Sequence, residues 1–199
     1  MDNEKYIGDL IAHFRKTVPL TEEEVAKIIP ALELKLLKRK TYILEPGQIS
    51  RHMRYIAKGS MRCYYLDDKS QEHTLQIGIE DWWINDLYSY LTQKPSRMYL
   101  QTMEESVIIR INRQQLERLY TVVPALSDFF RLKIQNAYVA LQERTLEHMS
   151  VDAYERYRTF LSEYRDIEQR VPQYIIASYL GMTPEFLSHL RKKNAAKIS

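Results

Sequence analysis

The sequence predicts an α+β protein with an N-terminal antiparallel β-roll, a long helix and a C-terminal helix-turn-helix. Three observations predict it. Short runs rich in Tyr, Ile, Leu and Met, separated by turn residues, occupy about residues 32–112, a texture typical of antiparallel sandwiches and rolls. A helical pattern without Pro or Gly follows Pro124 and continues to about Met149. Two short helical patterns then flank Gly181, as in a helix-turn-helix.

The composition excludes several classes of protein. With 45% hydrophobic and 28% charged residues among 199, the chain can bury an ordinary globular core without disulfides or structural metal. Cys63 is the single cysteine, which fits a reducing cytosol and cannot supply an iron–sulfur cluster by itself. The sequence shows neither a signal-peptide pattern nor an apolar stretch of membrane-spanning length. We therefore expect a cytoplasmic protein without a membrane partner.

Two helices are expected before the strands. Apolar residues recur at helical spacing between Tyr6 and Phe14, and Thr21 with Glu24 forms a capping box that opens a second helix near residues 22–31. The strand-like runs after it are separated by turn dipeptides, namely Pro46-Gly47, Lys58-Gly59 and Asp67-Asp68. We assign residues 1–122 to a β-roll sensor domain.

The long helix carries apolar residues on more than one face. Its rows are Phe130 with Ala137, Ile134 with Leu141, and Leu132 with Val139 and Leu146. A helix packed on a single domain needs only one apolar stripe. The additional stripes favour a second contact, with a partner helix in a coiled-coil-like homodimer. The alternative is burial of this helix inside one α-rich core.

The domain boundaries follow from the ends of the long helix. A short helix is expected over Arg113–Tyr120, just before the long one. Ser150-Val151-Asp152 interrupts the helical pattern and can cap the next helix, Ala153–Glu163. We therefore assign residues 123–149 to a dimerisation helix and residues 150–199 to a helix-turn-helix domain.

The helix-turn-helix pattern lies in residues 171–193. Gly181 supplies the left-handed residue that ends the first helix. Thr183 can cap the second helix, and Pro184 suits its first position because a missing N–H costs nothing there. The buried faces are expected to be Ile175, Ile176 and Leu180 on the first helix, and Phe186, Leu187 and Leu190 on the second.

The second helix has a polar and basic outward face: Glu185, Ser188, His189, Arg191, Lys192 and Lys193. In a major groove, Glu185 could accept from a cytosine amino group, while Ser188 or His189 could bond base edges or phosphate. The three basic residues suit backbone phosphates, and the basic balance beyond Arg170 favours a polyanion partner. With Thr183 and Pro184, these residues form the predicted site for double-stranded DNA. The alternative is an ordinary helical hairpin with a solvated face.

This order of elements resembles the Crp/Fnr-type transcription regulators, relatives of the cyclic-AMP receptor protein. The most specific match is the segment IASYLGMTPEFLSHLRKK, and the chain is especially similar to the short members found in Bacteroidetes. The resemblance implies a cyclic-nucleotide-binding-like roll, a homodimer that binds DNA, and RNA polymerase as a further candidate partner. It also implies that Pro184, Glu185, Ser188 and His189 read the DNA sequence, although His189 stands where the family often has arginine.

Residues 81–105 are similar to the family's phosphate-binding cassette. Asn85-Asp86-Leu87 stands in place of the usual Gly-Glu-Leu, and Ser96-Arg97 stands in place of Arg-Ser. Adjacent residues on an extended segment point to opposite sides, so the reversed order would aim Arg97 away from a phosphate. Leu141-Gln142 also replaces the hydroxyl residues that cyclic-AMP binders present. These departures argue against cyclic AMP. The expected effector pocket consists of Asn85, Asp86, Leu87, Ser96 and Arg97, with the effector unknown and no cofactor assigned.

The sequence contains no recognisable catalytic or metal-binding pattern. The five histidines show neither H-x-H nor H-E-x-x-H spacing, and no nucleophile-elbow, Walker or dinucleotide-binding motif occurs. We therefore expect a protein that is not an enzyme and holds no metal. Two alternatives stay open. One is a cupin-like β-roll enzyme whose C-terminal helices only dimerise. The other is a ligand-binding adaptor whose helix-turn-helix contacts protein.

Overall fold

The computed structural model describes residues 2–198, with side-chain environments from Asn3 to Lys193. It has the α+β architecture that the sequence predicts. The helices are α1 (Asp2–Arg15), α2 (Glu22–Ile28), α3 (Leu87–Thr92), α4 (Arg113–Val122), α5 (Pro124–Ser150), α6 (Ala153–Glu163), α7 (Arg165–Arg170), α8 (Gln173–Tyr179) and α9 (Pro184–Ile198). The strands are β1 (Leu32–Leu37), β2 (Tyr42–Leu44), β3 (His52–Lys58), β4 (Met61–Leu66), β5 (Glu72–Gly78), β6 (Tyr99–Thr102) and β7 (Ser106–Asn112).

The strands form the two sheets of a β-roll. One sheet has the order β1-β7-β3 and the other has the order β2-β6-β4-β5. The pairs β1–β7, β3–β7, β2–β6 and β4–β6 are antiparallel. An apolar cluster joins the sheets, with Ile56 and Ile108 from the first sheet against Met61, Cys63 and Leu100 from the second. The expected antiparallel roll is therefore confirmed.

Alternation along β3 separates two environments. Met53 and Tyr55 belong to the cluster that packs the first sheet against the helices, whereas Ile56 belongs to the cluster between the sheets. Successive side chains of a strand point to opposite faces. From His52 to Ile56, even-numbered residues of β3 therefore point into the roll and odd-numbered residues point towards the helices; the register shifts between Ile56 and Lys58.

Helices cover the outer face of the first sheet. Their contribution to this cluster comes from α1, α2, α4 and the beginning of α5, through Leu10, Phe14, Val25, Ile28, Leu116, Leu119, Leu126, Phe129 and Phe130. Each fully buried side chain of this size contributes about 1.5–3 kcal/mol to folding. The first turns of α5 are therefore part of the core that supports the sheet.

The capping signals place the helix ends correctly, with one exception. The Thr21 hydroxyl accepts from the Glu24 amide at 3.2 Å, and the Thr21 amide donates to the Glu24 carboxylate at 2.9 Å. The helix expected over residues 22–31, however, ends at Ile28 and continues as a 3-10 turn, Ile29–Ala31. Pro30 is the physical reason, because it has no N–H to donate to the carbonyl four residues earlier.

The chain folds into two compact units. The first contains the chain up to Tyr64 and Gln76–Asn136; the second contains Tyr65–Leu75 and the chain from Ala137 onward. The tip of the β4–β5 hairpin and the second half of α5 therefore belong with the C-terminal helices. Among the described residues, no helix is both long enough and apolar enough to cross a membrane.

Candidate DNA-binding surface and effector site

The turn between α8 and α9 has the geometry that the sequence predicts. Gly181 has a φ of +67°, in the left-handed region that glycine adopts without strain. The Met182 amide donates to the Ala177 carbonyl at 2.9 Å, which closes the end of α8. Pro184 begins α9, and the Thr183 hydroxyl accepts from the Phe186 amide at 3.2 Å. These local bonds join the two helices through a tight turn.

The two helices share an apolar interior. Ile175, Ile176, Ala177 and Leu180 of the first segment are buried, as are Leu187 and Leu190 of α9. Phe186 was expected to join them but is 44% exposed. Leu187 and Leu190 are three residues apart and lie on one face of the helix, while Phe186 lies about 100° away from Leu187. The expectation for Phe186 was therefore wrong.

The predicted DNA-binding residues fall into two groups. Seven of them are exposed: Thr183, Pro184, Glu185, Ser188, His189, Lys192 and Lys193. Arg191 is half-buried instead, and its guanidinium lies 3.1 Å from the carboxylate of Glu168 on α7. One outward face of α9 therefore presents a carboxylate, a hydroxyl, an imidazole and two ammonium groups, while Arg191 ties α9 to α7.

Two of the predicted effector residues, Asp86 and Ser96, are hydrogen-bonded to each other at the start of α3. Asp86 caps this helix by accepting from the Ser89 amide at 3.1 Å, and its other oxygen accepts from the Ser96 hydroxyl at 2.6 Å. Asp86 and Ser96 are both buried, and Leu87 packs against the main core. Arg97 is exposed. The structure therefore brings Asp86 and Ser96 together and places Arg97 on the surface, away from both.

Asn85 is hydrogen-bonded to Arg54, a charged residue that was not among the predicted site residues. Its side-chain oxygen accepts from the backbone amide of Arg54 at 3.1 Å. The Arg54 side chain is on the inward face of β3 and only 3% of Arg54 is exposed. Its Nη1 donates to the Ser50 hydroxyl at 3.1 Å and to the His52 carbonyl at 2.9 Å. Arg54 alternates with Met53 and Tyr55 and shares the strand face of Ile56. A charged residue on that face is the sequence signal that could have revealed Arg54.

Arg54 lies in a row of charges that crosses the first sheet. Arg110 of β7 is directly opposite Arg54 on one side and directly opposite Glu33 of β1 on the other. Arg110 donates to one oxygen of Glu33 through Nε at 3.0 Å and Nη2 at 2.8 Å. Burial, and then the neighbouring Arg110, lower the pKa of Arg54 to about 10. Arg54 therefore remains charged at neutral pH.

The positive charges of Arg110 and Arg54 also affect the pKa of His52. Burial first, and then Arg110 and Arg54, lower the pKa of His52 to about 4. Cys63 also lies between the sheets, where burial raises the pKa of its thiol to about 12. At neutral pH His52 is uncharged and Cys63 is a thiol. Among the described residues, no group of three or more His, Cys, Asp and Glu side chains is arranged to hold a metal ion.

Two adjoining clefts open beside α3 and α4. The larger has a volume of about 500 Å³ and the smaller about 400 Å³, and both are lined by Gln93, Arg113 and Gln114. Arg118 and Glu117 line the larger cleft, and Arg51 and Asn112 line the smaller one. Gln93 also donates to the carbonyl of Ser50 at 3.4 Å. The clefts are therefore basic, and Ser50 separates them from the guanidinium of Arg54.

Comparison with known families identifies the roll. Residues 34–121 match the family model of the cyclic nucleotide-binding domain. The roll is therefore similar to a cyclic nucleotide-binding domain. No curated protein sequence matches the chain.

Solved structures extend the likeness to most of the chain. The regulator CLP of Xanthomonas campestris, described as responsive to c-di-GMP, shares 14% identity at a TM-score of 0.71, over 89% of this chain and 93% of that one. FixK2 of Bradyrhizobium japonicum shares 15% identity at 0.72, over 83% and 85%. A protein of Eubacterium rectale assigned to the Crp/Fnr family of regulators shares 14% identity at 0.67, over 89% and 85%. The chain therefore has the fold of Crp/Fnr transcription regulators, as the resemblance implied.

Proposed function

We propose that this protein is a homodimeric, DNA-binding transcription regulator of the Crp/Fnr type, controlled by a small effector bound in its roll. The observation that carries the proposal is the exposed polar and basic face of α9 on a complete helix-turn-helix. A cytoplasmic location and contact with RNA polymerase are parts of this proposal. The proposed mechanism contains no catalytic step.

The face of α9 is suited to a major groove. Leu187 and Leu190 hold one side of the helix against the rest of the domain, which leaves Glu185, Ser188 and His189 free to reach base edges. Lys192 and Lys193 lie further along the same helix and are suited to backbone phosphates, which provide affinity but no sequence information. Because Arg191 pairs with Glu168, we assign it a smaller part in phosphate binding than the two lysines.

The second half of α5 supports the dimer. Its apolar side chains are exposed in the single chain: Tyr138, Val139, Leu141, Leu146 and Met149. Apolar surface of this extent on one helix is characteristic of an interface. We propose that two copies pair along this part of α5, and that residues 1–122, 123–149 and 150–199 act as sensor, dimerisation helix and DNA-binding domain.

The match to the domain family does not specify which effector this protein binds. The network of Asp86 with Ser96 and the exposed position of Arg97 leave the usual arginine of a cyclic-nucleotide site outside the roll. One structural relative is described as responding to c-di-GMP, so effectors other than cyclic AMP occur on this fold. We propose an effector other than cyclic AMP, and calorimetry with cyclic AMP should detect no binding.

Gel-shift assays with promoter fragments at several salt concentrations test the proposal. Glu185→Ala with His189→Ala should relax sequence preference, because these side chains lie where base edges would be. Lys192→Ala with Lys193→Ala should weaken binding to all DNA and flatten the salt dependence by about 0.9 for each phosphate that is no longer neutralised. Lys38→Ala with Arg39→Ala, exposed and distant in sequence, is the matched control for the removal of two charges.

Three results would contradict this assignment. The first is the absence of sequence-selective binding in the wild-type protein under every effector condition. The second is an equal loss of affinity in the Lys38/Arg39 and Lys192/Lys193 variants. The third is a helix-turn-helix that captures a protein but no DNA, which would support the adaptor alternative instead.

A further inference from the structure

We propose that the roll binds an anionic small molecule, through a carboxylate or phosphate group, at Arg54 on the inward face of β3. The inference deepens the proposed function, because this anion would be the effector. It replaces Arg97, the arginine expected from the sequence, with one that lies inside the roll.

Charge is unbalanced in one cross-strand row of the first sheet. Arg54 and Arg110 are direct cross-strand partners, and Arg110 donates to Glu33 through two of its nitrogens. Like charges directly opposite each other destabilise a sheet, and a buried charge needs a compensating partner. Glu33 compensates Arg110. Among the described residues, no carboxylate lies within ion-pair distance of Arg54.

Only one edge of the Arg54 guanidinium is hydrogen-bonded within the described residues. Its side-chain bonds all start from Nη1 and end on neutral acceptors: the Ser50 hydroxyl, the His52 carbonyl and, at 3.5 Å, the Asn85 side chain. Within the part of the chain that the structure describes, Nε and Nη2 have no acceptor. An arginine has five N–H donors in a rigid fork. The unused edge of this fork is therefore available to an oxyanion.

The nearest buried carboxylate is already engaged. Asp86 accepts from the Ser96 hydroxyl and from the Ser89 amide at the start of α3, so it is committed to the cap of that helix. Asp86 contributes to the field at Arg54 without touching it. An anion that bonded the free edge of Arg54 would supply the direct charge-assisted bonds that Asp86 does not make.

The two clefts near Ser50, which bonds Arg54, are lined mainly by positive charge. Gln93 lines both clefts and bonds the Ser50 carbonyl, while the Ser50 hydroxyl bonds Arg54. The same clefts are lined by three arginines against the single carboxylate of Glu117; these are Arg51, Arg113 and Arg118. Clefts lined by one sign of charge concentrate ligands of the opposite sign. The clefts on the solvent side of Ser50 therefore favour an anion.

Thermal unfolding of the full-length protein tests the proposal, with sodium phosphate, sodium succinate and sodium chloride compared at matched ionic strength. An anion that binds only the folded state raises the Tm. We expect phosphate or succinate to raise the Tm of the wild-type protein by several degrees relative to chloride. The anion that does so distinguishes a phosphate effector from a carboxylate effector.

Variants assign the effect to a residue. Arg54→Met should abolish the anion-dependent rise, whereas Arg97→Met, which removes an exposed arginine, should retain it. Arg54→Lys preserves the charge but not the fork, and should weaken the apparent affinity at least about tenfold. If Arg54→Met does not fold, the Lys variant carries the test. Equal Tm values in all three salts for the wild-type protein, or an undiminished rise in the Arg54 variants, would overturn the inference.

Gel shifts separate this inference from the proposed function. If the protein binds DNA selectively but shows no Arg54-dependent anion effect, the anion site is wrong and the regulator stands. If the anion effect is present without selective DNA binding, the site stands and the regulator is wrong.

Discussion

Helix α5 has similar apolar patterns in its two halves, but the two halves have different surroundings. In the first half, Phe129 and Phe130 are buried against α1 and the first sheet. In the second half, Tyr138 is 66% exposed and Met149 is 80% exposed. Periodicity indicates that a face is apolar, and it does not indicate whether the same chain or a second copy covers it. The first half of α5 therefore stabilises the roll, and the second half leaves apolar surface available for pairing.

The largest effect should come from the first half. Phe129 is fully buried and touches Phe14 and Phe130 edge to face, at centroid distances of 4.7 Å and 5.2 Å. Phe129→Ala should lower the free energy of unfolding by about 3–5 kcal/mol, because it leaves a cavity in this cluster. Urea unfolding checks the prediction. Val139→Ala, in the exposed half, is the control; a similar loss in both variants would contradict the division.

A second effect in the first half depends on pH. His13 is buried beside Tyr55 and Phe129, and its Nε2 has no hydrogen-bond partner among the described residues. Burial, and then Lys133, lower the pKa of His13 to about 4. The unfolded chain binds this proton near pH 6.5, so stability should fall as the pH falls from about 6.5 towards 4. The loss from this group should be on the order of 3 kcal/mol by pH 4.

The variant His13→Phe isolates the contribution of His13. It keeps an aromatic ring in the cluster and removes the proton. Its free energy of unfolding should decline less than that of the wild-type protein between pH 7 and pH 5, by about 2 kcal/mol. His52 has a lowered pKa too, so only the difference between the two proteins is informative. Parallel declines would show that His13 is not the group involved.

The second half of α5 should affect association rather than folding. Leu146→Glu places a charge among the exposed apolar residues and should weaken dimerisation at least about tenfold, which is about 1.4 kcal/mol. Unfolding of the monomer should change by about 0.5 kcal/mol or less. Sedimentation at several concentrations measures the dimer. The exposed polar neighbour Glu143→Gln is the control, and an unchanged dimer in the Leu146 variant would contradict the proposed interface.

An effect of similar size concerns Gly181, which lies close to His148 in the second half of α5. A Cβ added at Gly181 would lie 2.9 Å from Cε1 of His148, and Gly181 has a positive φ. Gly181→Ala should therefore destabilise the C-terminal unit by about 1–2 kcal/mol, mainly through the left-handed conformation. Hydrogen exchange at α8 and α9 would report it. If adding His148→Ala to the Gly181→Ala variant restored full protection, the steric contact rather than the backbone would be the cause.

The sequence-based predictions were most accurate for features that depend on residues close together in the chain. Thr21 with Glu24, Gly181 and Thr183 with Pro184 are signals within a few residues of the turn they form, and the structure has each of them. Phe186 was assigned to the wrong face. Successive residues of a helix lie about 100° apart, so an error of one position changes the face to which a side chain is assigned. The prediction for α2 did not give enough weight to Pro30.

The proposed anion site was predicted less completely, because its residues meet across strands. Glu33, Arg110 and Arg54 are adjacent in the sheet but distant in the sequence, and no spacing pattern connects them. Arg97 was the arginine that the family's pattern indicated, and Ser96 beside it is the residue that turns inward to Asp86. A match of short motifs therefore indicated Asp86 and Ser96, which the structure brings together, but not the buried charge of Arg54.

The sequence by itself determined the order of the elements, the helix caps, the glycine turn and the apolar rows of α5, since each follows from backbone preference or periodicity over a few residues. Only the tertiary structure decided which arginine is buried, which half of α5 is covered and that Arg191 pairs with Glu168. Those outcomes depend on strand register and on the packing of helices distant in the chain. Strand register brings Arg54 opposite Arg110, and helix packing brings α9 against α7.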